Sequence, residues 1–131
     1  MRYQSRISGP LLDRFDLVVE VPRLTPQELS RAAEGESTAV VRARVLAARE
    51  RMVRRQGRLN SELLGRGLRQ QTLLSSGSEA LLQAATKRLA LTARSYDRTL
   101  RVARTIADLA GAESIQEVHL AEALTYRRSL G

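Results

Sequence analysis

Apolar residues recur along most of this chain at spacings of three and four, the periodicity of helices that bury one face. Thr25-Pro26-Gln27-Glu28 opens the first of them, with Thr25 as N-cap, Pro26 in the first turn and Glu28 closing a capping box. The polar stretch Ala33-Glu34-Gly35-Glu36-Ser37 then reads as a linker. Ser37 or Thr38 caps a long helix to about Gln56, stopped by Gly57, whose stripe is Val41, Val45, Ala48 and Met52. From Asn60 or Ser61 to about Leu74 the pattern weakens. Gly65 and Gly67 each cost roughly 1 kcal/mol in a helix interior, so this piece is broken or held by tertiary contacts. Ser75-Ser76-Gly77-Ser78 is a loop in which Ser78 caps the next helix, with Leu81, Leu82, Ala85 and Leu89 inward. Thr92 caps a further helix on which Tyr96, Leu100, Ala103, Ile106, Ala107 and Ala110 hold the period until Gly111. The last helix starts near Ser114 to Gln116 and carries Val118, Ala121 and Leu124 inward, with Leu120 beside them. Helices joined by such short loops predict a small bundle.

One run departs from this pattern. Asp16-Leu17-Val18-Val19-Glu20-Val21, ended by Pro22, is β-branched and short enough to predict a strand. It follows a Ser8-Gly9-Pro10 turn and about one helical turn over Leu11 to Phe15. A lone strand cannot satisfy its own backbone, and no second strand is evident. It is therefore expected to be the edge of a larger α/β domain lying upstream, or else to pair between chains or stay disordered. The expected fold class is mainly α: a bundle over 34–131, preceded over 1–33 by the turn, one strand, a short helix and the linker.

Composition narrows the chemistry. The core of this 131-residue chain has four aromatics to draw on, so it is built from Leu, Val and Ala. No cysteine is present, which removes disulfides, thiolate nucleophiles and Cys-based zinc sites. His119 is the single histidine, so multi-histidine metal sites are out and a structural role is expected for it. No apolar run approaches the ~20 residues that span a bilayer, and no signal-peptide pattern opens the chain. The chain carries 22 basic against 14 acidic side chains, a net charge of +8, and Lys87 is the sole lysine. A phosphate-binding loop needs Gly-Lys-Ser/Thr, but Lys87 lies between Thr86 and Arg88. No Asp is followed by Glu either. By itself the chain has no machinery for nucleotide hydrolysis.

The arginines are the informative residues. Arg14, between Asp13 and Asp16 and just before the expected strand, can project from a domain edge toward phosphate oxygens, or pair with those carboxylates at a surface. Arg94 lies in the first turn of its helix, where its charge opposes the helix dipole. That is either a solvated basic face shared with Arg98, Arg101 and Arg104 or a place for an anion. Arg44, Arg51 and Arg55 line one edge of the long helix and are candidate DNA phosphate contacts. No helix-turn-helix, zinc-finger or RNA-recognition pattern accompanies them.

Arg6-Ile7-Ser8-Gly9-Pro10-Leu11-Leu12-Asp13-Arg14-Phe15-Asp16-Leu17, followed by Val19-Glu20-Val21-Pro22, resembles the end of the ATPase core in magnesium-chelatase-like AAA+ proteins. Within them it is most similar to the ComM/YifB type, the competence-related branch-migration helicases. Leu91-Thr92-Ala93-Arg94-Ser95-Tyr96-Asp97-Arg98, continuing to Gly111, and His119-Leu120-Ala121-Glu122-Ala123-Leu124-Thr125-Tyr126-Arg127 also resemble that family. The middle of the chain, Thr25 to Ser78, matches more loosely.

The resemblance implies that 1–33 is the end of an AAA+ core with its linker and that 34–131 is the C-terminal helical lid. Arg14 matches the arginine finger, which acts in trans on a neighbour's γ-phosphate, and Arg94 matches the sensor 2 arginine. The implied whole protein is a cytoplasmic, ATP- and magnesium-dependent homo-oligomeric ring, a hexamer, acting on DNA. This chain would be its non-catalytic C-terminal part, binding no cofactor alone and partnered by the upstream core. Two alternatives remain: from the residues, a stand-alone basic DNA-binding module; from the resemblance, the ATPase subunit of a metal chelatase.

Overall fold

The computed structural model describes residues 35–128 and 25–30, together with 14–19, Leu11, Val21 and Arg23. The Ser8-Gly9-Pro10 turn and the linker residues Ala33 and Glu34 lie outside the described residues. Among the described residues six α-helices of five or more residues follow one another: α1 (Pro26–Ser30), α2 (Thr38–Gln56), α3 (Gly65–Gln71), α4 (Ser76–Arg88), α5 (Ala93–Leu109) and α6 (Glu117–Arg128). A 3₁₀ turn, Asn60–Glu62, joins α2 to α3.

Side-chain caps set most of the boundaries. The Thr25 hydroxyl accepts from the Glu28 N–H at 3.2 Å, and the Glu28 carboxylate accepts from the Thr25 N–H at 3.1 Å. Ser37 caps α2, and Gly57 ends it in the left-handed conformation, φ 76°, with its N–H on the Val53 carbonyl at 2.8 Å. Thr92 and Ser95 form a reciprocal box at the start of α5. The cap of α4 is Ser75, three residues earlier than expected. Its hydroxyl accepts from the Ser78 N–H at 3.2 Å, leaving Ser78 buried in the first turn.

Helix α5 is the axis of the fold. It packs against α6, α2, α3 and the 3₁₀ turn, and α6 also packs on α4. Leu63, Leu68, Leu82, Leu100, Ala103, Ala107, Ile115, Leu120 and Leu124 form the shared core. Surrounded on several sides, α5 buries Ser95, Thr99, Arg104 and Asp108 along with its apolar positions. Two expected stripes are corrected. On α6 the buried face is Leu120, Ala123 and Leu124, while Val118 is 69% exposed. That face is disguised in the sequence because His119 and Arg127, polar residues, share it. On α2 only Ala48 and Met52 are buried; Val41 and Val45 are exposed, since the first half of the helix extends past the bundle.

The expected strand is absent, and the fold class is corrected to α-helical with no β-strand among the described residues. Residues 17–19 and Val21 carry no ladder, and Val21 is 82% exposed. A β-branched run becomes a strand only when a neighbouring strand takes up its N–H and C=O groups, and none is present among the described residues.

The α4–α5 turn holds a backbone conformation that the residue type does not suggest. The Leu91 N–H bonds the Thr86 carbonyl at 3.0 Å and the Ala90 N–H bonds that of Lys87 at 3.4 Å, a Schellman arrangement with Ala90 at φ 51°. A non-glycine residue pays for that left-handed conformation, so Ala90→Gly is expected to stabilise the chain by about 1 kcal/mol. Urea denaturation of the two proteins measures it; an unchanged or lower midpoint refutes the strain.

Candidate functional site

The two arginines singled out by sequence, Arg14 and Arg94, are both exposed. Arg14 follows a turn in which its N–H bonds the Leu11 carbonyl at 3.1 Å. Its guanidinium makes no hydrogen bond or ion pair among the described residues. Asp16 pairs elsewhere, and Asp13 lies outside the described residues. Arg94 is the second residue of α5, just past the Thr92 cap, and no acidic side chain occupies that first turn. A cation there stands against the positive end of a 17-residue helix.

Residues near both arginines in sequence make contacts with each other. The Asp16 carboxylate accepts from Arg98 at 2.5 Å, and Arg98 sits one helical turn after Arg94. From α6, the buried Arg127 guanidinium donates to the Phe15 carbonyl at 2.6 Å and to that of Asp16 at 3.4 Å. Leu17 then lines a groove with Val102, Ile106, Leu109 and Tyr126. The Tyr126 hydroxyl donates to Glu122 at 3.0 Å, and that bond to a carboxylate raises the phenol's pKa by favouring its protonated form. The segment after Arg14 is thereby fastened to the two helices that carry Arg98 and Arg127.

A second polar cluster ties α2 to the far end of α5. The Asp108 carboxylate is fully buried and accepts from Arg55 at 2.7 and 3.1 Å, from Arg104 at 3.1 Å and from the Asn60 amide at 2.8 Å. Arg104 also donates to the carbonyls of Ala112 and Glu113, at 2.9 and 3.0 Å. Burial lowers the pKa of its guanidinium and Arg55 lowers it further, opposed by the Asp108 charge. Arg51 caps the other end of the story for α5: it donates to the Asp108 carbonyl at 2.8 Å, over Gly111, whose φ of 76° ends the helix turn. Arg51, Arg54 and Arg55 line a cleft with Asp108 and residues 111–113.

The three candidate DNA contacts therefore divide. Arg55 and Arg51 bond Asp108, by its carboxylate and its carbonyl, and Arg44 pairs with Glu36 at the exposed start of α2. Each has an acceptor within the chain. Of the α5 arginines expected on one basic face, Arg98, Arg101 and Arg104 are likewise engaged, Arg101 through the Leu63 carbonyl at 3.0 Å. His119 is buried, and its Nδ1 accepts from the Gln116 N–H at 2.9 Å, closing the first turn of α6 as a capping side chain. Sequence reasoning missed Asp108 as an anchor. Its signal was present in part, as an i, i+4 Arg104–Asp108 spacing.

Among the described residues no three His, Asp or Glu side chains gather where a metal ion could be held. No described helix is long and apolar enough to cross a membrane.

Comparison with known proteins identifies the family. Residues 35–127 match the family model of the magnesium chelatase subunit ChlI C-terminal region, and residues 1–29 match that of magnesium chelatase subunit ChlI. The uncharacterized protein YifB of Salmonella typhimurium is 46% identical over 128 residues, 97% of this chain and 25% of that protein. Competence protein ComM of Haemophilus influenzae is 44% identical over the same shares. An uncharacterized protein of Mycobacterium tuberculosis is 45% identical over 132 residues, 98% of this chain and 26% of that protein. The chain spans about a quarter of the length of the curated relatives it matches.

Proposed function

The chain belongs to the magnesium chelatase ChlI family, related to YifB and ComM, and from that membership we propose that it presents two arginines to ATP within a larger AAA+ ring. Arg94 is the sensor 2 residue, on the helical lid that covers a bound nucleotide. Arg14 is the arginine finger, reaching the γ-phosphate held by the neighbouring subunit. Both act by electrostatics: a planar guanidinium neutralises charge on the phosphoryl oxygens as the terminal phosphate is transferred. The ATP-binding loop and the magnesium ligands are supplied by the rest of the protein.

The observation that carries this reading is the placement of Arg94. A solvent-facing cation in the first turn of a capped helix, with no acidic residue in that turn, opposes the helix dipole, and a bound phosphate reverses that penalty. In the whole protein, Arg94→Ala is expected to lower kcat/KM for ATP by roughly ten- to a hundredfold, the worth of one charge-assisted hydrogen bond. The melting temperature should stay within a few degrees, since the side chain bonds nothing among the described residues. Steady-state ATPase measurements check it; wild-type kinetics would remove Arg94 from the nucleotide site.

The ring works in the cytoplasm, and its hydrolysis drives movement along DNA, as a helicase or branch-migration motor. The net charge of +8 and the name of the relative ComM, a competence protein, support this. The family description favours a second reading, ATP-driven metal chelation with the same two arginines. DNA that accelerates ATP turnover, with a stimulation that fades as salt rises, separates the two.

A further inference from the structure

Arg14 and Arg94 are 80 residues apart in sequence, yet a short chain of contacts connects them. Arg94 and Arg98 share a face of α5, one turn apart. Arg98 bonds the Asp16 carboxylate, and Asp16 lies two residues from Arg14. From the other helix, Arg127 fastens the backbone carbonyls of Phe15 and Asp16. The two clamps differ in kind. Arg127 is buried and grips main chain, so it holds the segment against the bundle whatever side chains the segment carries. The Arg98–Asp16 pair is partly open to solvent, with side-chain exposures of 21% and 51%, and it joins the segment to α5 one turn after Arg94.

We propose that the Asp16–Arg98 pair is a positioning strut that makes the finger arginine, Arg14, follow the sensor helix α5. The strut rests on the roles assigned above to Arg14 and Arg94. When a phosphate draws Arg94 and the first turns of α5, Arg98 moves with them as part of the same rigid helix and carries Asp16. Arg14 emerges from the backbone two residues away and shifts with it. Nucleotide state at one site of the ring is thereby written into the position of the finger that serves the next site. Asp16 and Arg98 touch no nucleotide; they act through Arg14, so their loss changes the rate of the transferred phosphoryl group and leaves ATP affinity alone. Because Arg127 keeps its grip on the carbonyls, the loss is partial. A two-site coupling of ordinary size corresponds to about tenfold.

The experiment compares Asp16→Ala, Arg98→Asp, the exchanged pair Asp16→Arg with Arg98→Asp, and Arg14→Ala in the full-length protein. Each single change at the strut is expected to lower kcat for ATP about tenfold with KM held within about twofold. The exchange should recover most of the rate, because the opposite charges still meet. A purely structural pair would not separate kcat from KM in this way. If Arg14→Ala abolishes turnover while Asp16→Ala leaves kcat unchanged, the strut is overturned and the finger stands. A loss in Asp16→Ala that the exchange does not recover overturns the pairing with Arg98. If Arg14→Ala itself turns over normally, the finger role falls and the strut with it.

Discussion

In the full-length protein, Arg14→Ala is expected to cut ATP turnover by about 10³–10⁵, the range over which a trans arginine stabilises phosphoryl transfer. The size of the effect follows from where charge develops. As the bond to the leaving phosphate loosens, negative charge spreads over oxygens that solvent reaches poorly inside a closed interface. A guanidinium delivered by the neighbour is worth most at that moment. The ground state gains less, so KM for ATP should change little while kcat collapses. The fold should be indifferent. Arg14 is exposed, its only described bond is the main-chain N–H to Leu11, and the segment is held by Arg127 and Arg98 through residues 15 and 16. Turnover within tenfold of wild type would take Arg14 out of the site. A rate restored by mixing Arg14→Ala subunits with subunits that carry Arg14 but cannot bind ATP would place the finger in trans.

The largest expected effect on stability is that of Asp108→Ala. The Asp108 carboxylate is the shared acceptor of Arg55, Arg104 and Asn60, and Arg104 is only 3% exposed. Removing it strands a buried cation whose remaining partners are two carbonyls, a loss of about 3–5 kcal/mol. For a domain near 100 residues that corresponds to a melting temperature roughly 15–30 °C lower. Against a total stability of about 5–15 kcal/mol, the variant approaches the edge of folding. Arg54→Ala is the contrast. Its pair with Glu50 spans 2.8 Å, but both side chains are mostly exposed, and the change should stay within about 0.5 kcal/mol. Differential scanning calorimetry of both variants decides it; equal melting temperatures would mean that Asp108 anchors nothing.

These two residues stand at opposite ends of what sequence reading could reach. Arg14 was found because it falls within a run of residues that resembles a family, and Arg94 because a cation in a first helical turn is locally anomalous. The caps were found for the same local reason: Thr25 with Glu28, Ser37, Gly57 and Thr92 act within three or four residues of themselves. Asp108 had only its spacing from Arg104 to recommend it. The remaining partners, Arg55 and Asn60, lie 53 and 48 residues away, and no local pattern brings them together.

The sequence by itself determined that the chain is helical, where most of its helices begin and end, and that it belongs with an ATPase family. Those properties depend on periodicity, capping and motif, all of which act over a few residues. The tertiary structure alone decided that residues 16–19 and Val21 form no strand, that His119 and Arg127 face inward, and that Arg51 and Arg55 hold the bundle together. It also decided that Asp16 meets Arg98 across 82 residues. Whether an arginine is a solvated charge, a buried anchor or a strut depends on which carboxylate or carbonyl the packed helices bring to it. That neighbour is chosen by the core, through the area the helices bury against one another, and is not encoded beside the arginine.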